Sequence, residues 1–150
     1  MAASTSGAIK AYLETLAFGV PVFRDGPREG QAPPFVVVQE GMPAGPDRSG
    51  NGDFGDPAAE INIVETVVVD LVQQARVKTG ARTTRVTERY GLAEAIAHAL
   101  HGCRLPAHPA KVTAVRVDDV DRIPIADNRV RHSITVQVHR ELLREEVTPG

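Results

Sequence analysis

The chain has 150 residues, a formal net charge of -2 at pH 7 and a single cysteine. One domain of that size buries roughly 70% of its unfolded surface, so a core forms without a disulfide or a structural zinc. Hydrophobic residues make up 42% of the chain but aromatic ones only 4%, with no Trp, and a pI near 6.2 excludes a general phosphate-binding surface, because non-specific nucleic-acid affinity comes from Lys and Arg.

Met1 to Gly7 is small and polar, with no basic stretch leading into an apolar run. No segment approaches the roughly 18 apolar residues of a membrane span. A single domain over 1–150, made in a reducing cytoplasm, is expected. Behind the possible caps Ser4, Thr5 and Ser6, the residues Ile9, Tyr12, Leu13 and Leu16 recur at helical spacing and predict a first helix ending before Gly19. Val20 to Phe23 predicts a short strand, and Phe35 to Gln39 a second, launched by Pro33 and Pro34. The two are expected to pair through the polar turn between them.

Gly41 to Pro57 is rich in Gly, Pro and Asp with almost nothing apolar. It predicts a long loop, a candidate for ordering on a partner. Ile61, Ile63, Val67, Val69 and Leu71 alternate with Asn62, Thr66 and Asp70, the period of a half-buried strand. A basic run, Arg76, Lys78, Arg82, Arg85 and Arg89, leads into a second helix with the stripe Leu92, Ala95, Ile96, Ala99 and Leu100, and Gly102 suits its end. Val112 to Val117 and Val130 to Val138 predict a closing antiparallel pair around an acidic link, Asp118 to Asn128, with Asp118, Asp119 and Asp121. The last residues, about 142–150, are expected to fray. The sum is an α+β fold, a mostly antiparallel sheet of four to five strands with two helices packed on one face.

Each possible chemical motif has a plainer reading. His98, His101, Cys103 and His108 cluster in the sequence, but on a helical wheel His98 and His101 share the face of Glu94 while Cys103 projects with the apolar stripe. No metal site is expected. Gly50, Gly52 and Gly55 spell G-x-G-x-x-G, yet Pro43, Pro46 and Pro57 surround them and a strand follows, where a dinucleotide turn opens a helix. Asp47, Ser49, Asn51, Gly52 and Asp53 imitate a calcium loop whose bidentate carboxylate is replaced by Ala58. No activated Ser or Cys is framed by a nucleophile turn. The pairs Asp118, Asp119 and Glu145, Glu146 are adjacent, so on a strand their side chains point to opposite faces. Neither a catalytic residue nor a cofactor is expected.

What remains is an opposition of charge. Arg76, Arg82, Arg85 and Arg89 on one side, and Asp118, Asp119 and Asp121 on the other, form a candidate subunit interface if they sit on different flanks, since each set would meet the other on a neighbouring copy.

The layout as a whole resembles the tail terminator (tail completion) proteins of long-tailed bacteriophages. The likeness runs from the Ile9, Tyr12, Leu16 helix through the Pro33-Pro34-Phe35-Val36-Val37-Val38 entry, the loop, the Val67 to Val72 strand and the Gly91-Leu92-Ala93-Glu94-Ala95 helix to the Val112 to Val138 pair. It implies a structural virion protein at the head-proximal end of the tail, a homo-oligomeric ring, commonly a hexamer, that caps the tail tube, ends its polymerisation and offers the head-joining surface. Its partners would be itself, the tube protein and a head-completion or connector protein, with DNA passing through the lumen without specific binding and no membrane involved. The Gly41 to Pro57 loop, with Asp47, Arg48, Asp53 and Phe54, and the Asp118 to Asn128 link are the candidate tube or lumen contacts. A neck or head-closure subunit, a cytosolic binding module and a small enzyme using His98 and His101 are the alternative readings.

Overall fold

The computed structural model describes residues 4–16, 18–46, 62–75, 78–79, 82–83 and 88–141, with the backbone alone at 43–46, 78–79, 82–83 and 90. The first helix, α1, spans Thr5–Thr15. Ser4 is its cap: the hydroxyl accepts the Gly7 N–H at 3.1 Å, satisfying a donor that the first turn leaves free. The helix buries Ala8, Ile9 and Leu13.

Two short strands follow, β1 (Val22–Arg24) and β2 (Phe35–Val38). They do pair, but in parallel, Val22 beside Val36 and Arg24 beside Val38. A simple turn between them would make them antiparallel. The intervening chain instead doubles back, with Asp25 and Gly30 at positive φ, and re-enters so that Val36 N–H meets the Pro21 carbonyl at 2.9 Å.

The chain then rejoins the sheet as β3 (Met42–Pro46), antiparallel to β4 (Asn62–Gln74) with a register shift between Pro43 and Gly45. The expected loop therefore begins later than Gly41. Prolines read as loop residues in sequence, yet they are tolerated on an edge strand, where a missing N–H costs no ladder bond. The rest of that segment, 47–57, lies outside the described residues, as does the tail 142–150.

A small hairpin of β5 (Lys78–Thr79) and β6 (Arg82–Thr83) precedes α2 (Tyr90–Leu100). The α2 stripe is Leu92, Ala93, Ile96, Ala97 and Leu100. Ala93 and Ala97 replace the expected Ala95 and Ala99: on a 100° wheel Ala93 lies nearer the Ile96 and Leu100 direction than Ala95, while Ala97 and Ala99 flank that direction equally and the Ala97 side is the one covered. Beyond α2, Gly102 adopts φ +75, a left-handed conformation that suits glycine at a helix end.

The closing hairpin pairs β7 (Val112–Ile125) with β8 (Arg129–Glu141). Its turn is short and sits at 126–128, with Asp127 and Asn128 at positive φ. The acidic residues expected in a link are instead inside β7. They lack apolar alternation because that half of the strand is exposed on both faces, so periodicity could not mark it as strand.

The main sheet runs β1-β2-β4-β8-β7, with β3 extending β2 along the same side of β4, and all pairs but the first are antiparallel. Both helices cover one face. Ile9, Leu13, Val36, Val38, Val67, Val69, Leu71, Ile96, Leu100, Val115, Ile134, Val136 and Val138 form one buried cluster, each such side chain contributing about 1.5–3 kcal/mol by leaving water. Tyr12 donates its hydroxyl to the Ala99 carbonyl at 3.0 Å, joining the helices. The other face is mostly polar, with a small apolar patch of Phe23, Phe35, Val37 and Val72. No helix of the described residues is long and apolar enough to cross a membrane.

Candidate functional site

The histidine and cysteine residues do not converge. Glu94 and His98 are exposed on α2, and exposed His101 accepts the Val117 N–H on Nδ1 at 3.1 Å. Cys103 packs against the apolar core, where burial pushes its thiol up to about 11, the opposite of the activation a nucleophile needs. Among the described residues no group of three His, Cys, Asp or Glu side chains is placed to hold a metal ion.

A polar network that periodicity did not reveal lies under the start of α1. Thr5 Oγ1 is 2.5 Å from Glu65 Oε1 and 2.7 Å from His108 Nε2. Arg140 Nε donates to the same Glu65 oxygen at 2.7 Å. A hydroxyl between an imidazole and a carboxylate suggests a nucleophile, but the proton directions are wrong. His108 Nδ1 accepts the Ala110 N–H at 2.9 Å, so in the neutral ring Nε2 carries the proton and donates to Thr5, which donates in turn to Glu65. Thr5 is only 2% exposed. The arrangement pins α1 to the sheet, and Gly41 is moulded to it: a Cβ there would lie 2.8 Å from Glu65 Cδ.

At the opposite end, Glu88 is buried and held by Arg122 through two parallel bonds, Nε at 2.9 Å and Nη2 at 3.0 Å. His132 Nε2 lies 3.3 Å away. The Arg122 hydrogen bonds hold the Glu88 carboxyl below its ordinary value, against the opposing pull of burial, with the charges of Arg122 and His132 helping. Beside them, buried Gln73 accepts the Arg89 N–H at 2.8 Å and donates to the Arg89 carbonyl at 3.2 Å. It ties Arg89, the residue at the head of α2, to the sheet.

This geometry bears on the expected opposition of charge. Arg89 is exposed at the head of α2, Arg82 lies in β6 with only its backbone described, and Arg76 and Arg85 fall outside the described residues. The Glu88–Arg122 pair ties the residue before Arg89 to the second half of β7 within one subunit. Asp118, Asp119 and Asp121 are exposed along β7. Asp47, Arg48, Asp53 and Phe54, the loop candidates, fall outside the described residues.

A second set of cations was not singled out by the sequence. Between the 101–110 segment and the first half of β7 lies an open groove of about 960 Å³ whose charged lining is Arg104, Lys111 and Arg116, with His101 and His108 and no acid. Arg104, Lys111 and Arg116 come from three separate places in the chain. Only the return of β7 past the end of α2 brings them together.

No family model matches the chain, and no curated protein does. Among solved structures, the chain is similar to one in the virion of a native gene transfer agent (GTA) particle, with a TM-score of 0.68, 15% identity, and 93% of this chain and 96% of that one covered. At that identity the likeness shows a shared fold.

Proposed function

We propose that the chain is a structural component of a virion, and within that class the subunit that caps the tail tube as a ring, stops its growth and offers the head-joining surface. The observation that carries this is the end-to-end likeness to a chain of a virion, with little of either chain left over. The site geometry supports it as well. The polar clusters inside the fold are spent on holding helices to the sheet, whereas the unmatched charges lie outside, where another subunit meets them. In this reading copies assemble head to tail into a ring, a hexamer by the resemblance, with the Asp118 to Asp121 half of β7 on one side of each contact. A net charge of -2 suits a lumen that passes DNA without holding its phosphates.

Electron microscopy of particles made without the protein tests it. Abnormally long tails are the expected result. Tails of normal length detached from leaky heads would assign the chain to the neck or head closure. Light scattering on the purified chain with and without tube subunits addresses a binding module, which would stay monomeric in both.

A further inference from the structure

We infer that two free copies of this chain pair across their β7 edges, the Arg104, Lys111 and Arg116 groove of each receiving the Asp118 to Asp121 half-strand of the other. The groove is lined by three exposed cations and no carboxylate. Among the described residues none of the three enters an ion pair, and neither does Asp118, Asp119 or Asp121. Both charge sets therefore face solvent without a counter-charge, although one strand carries Arg116 and all three aspartates. Arg116, Asp119 and Asp121 stand opposite Gln137, Thr135 and Ser133 of β8, so all three project from the same face of the sheet.

The order of signs along β7 decides the partner. Lys111 and Arg116 border its first half and the aspartates occupy the stretch just beyond. Turning a second copy by a two-fold rotation about Val117, just before the register shift, reverses the strand and lays Asp118, Asp119 and Asp121 of each copy along the 113–116 stretch of the other, between its Lys111 and Arg116, the self-complementarity that an isologous contact requires.

The contact is made by side chains, because the edge is closed to a further strand. The Val115 carbonyl is occupied by Gly102 N–H at 2.7 Å and the Val117 N–H by His101. The Val120 N–H is taken by Asp119 Oδ1 at 2.9 Å, and Pro124 has no N–H to offer.

A ring of copies in one orientation contains no such two-fold, and it needs the same aspartates. The pair is thus a form of the free chain that opens before a cap is built. It holds whether or not the ring reading does.

Sedimentation velocity of the full chain tests the pairing. At about 50 mM salt the chain sediments as a dimer, and at about 500 mM self-association weakens at least about tenfold, as expected for exposed charges. Lys111→Glu/Arg116→Glu is monomeric at low salt, and so is Asp118→Arg/Asp121→Arg. Mixed in equal amounts the two variants form a dimer, because each then meets the opposite sign at both halves. Unchanged thermal unfolding of each variant establishes that it is folded. A wild-type chain that stays monomeric at low salt, variants that still dimerise, or a mixture that remains monomeric would each overturn the inference. A wild-type hexamer in free solution would overturn it too while supporting the ring, so the two readings fail separately.

Discussion

The charges beneath α1 and those along β7 are arranged on opposite principles. Glu65 and Arg140 are buried, matched to each other at 2.7 Å and surrounded by Thr5 and His108, as they must be, since a buried charge without a partner is costly. Asp118, Asp119 and Asp121 are exposed with no ion pair among the described residues, which costs nothing in water. The first set serves the fold and the second is free for a partner. Mutations at the two places should therefore separate stability from assembly.

The largest effect belongs to the buried end. Arg140→Ala strands the Glu65 carboxylate and should destabilise the chain by about 3–5 kcal/mol, read as a lower urea midpoint. A loss below about 1 kcal/mol would mean that this network is not holding α1. Glu88→Gln comes next, at about 1–3 kcal/mol, because it weakens a charge-assisted bidentate pair whose arginine reaches solvent. Its pH dependence has a definite sign. Glu88 is held below its ordinary value of 4.5, so its contribution is fully present above that pH and is lost as the pH falls through the folded-state value. The stability difference between wild type and variant should shrink below about pH 4.5, and a difference constant across that range would sink the account. Gln73→Leu should cost about 1–2 kcal/mol by leaving the Arg89 N–H and carbonyl unmet, with faster hydrogen exchange at the start of α2 as the local readout.

These same residues show what the sequence could and could not reveal. Where one face of a strand is apolar, alternation exposed it: Val67, Val69 and Leu71, and Ile134, Val136 and Val138, are the middle of the core. The helices were legible for the same reason, and Ser4 and Gly102 marked two of their ends. Alternation fails where both faces of a strand are wet, which is why the Asp118 to Ile125 half of β7 looked like a link. It fails again where an edge strand tolerates prolines, as at Met42–Pro46. The buried network was invisible for a different reason. Thr5, Glu65, His108 and Arg140 come from four separate elements or connections, and each alone looks like an ordinary solvated residue. The basic groove is hidden in the same way, since nothing in the order of Arg104, Lys111 and Arg116 says that the chain folds them around one space.

The smallest expected effect is the most direct test of the contrast. Asp121→Asn removes a charge from a side chain that makes no hydrogen bond or ion pair among the described residues, and it keeps the shape of the strand. Surface changes of this kind usually alter stability by less than about 0.5 kcal/mol. The thermal midpoint should accordingly stay near that of wild type, while self-association at low salt weakens because one counter-charge per half-contact is gone. A clear loss of stability would show that Asp121 is engaged within its own subunit, and the division between charges that hold the fold and charges that wait for a partner would fail at its simplest point. Asp119 is the internal control. Its carboxylate caps the Val120 N–H at 2.9 Å, so Asp119→Ala should lower stability by about 0.5–1.5 kcal/mol as well as weaken association, a mixed response that Asp121 should not share.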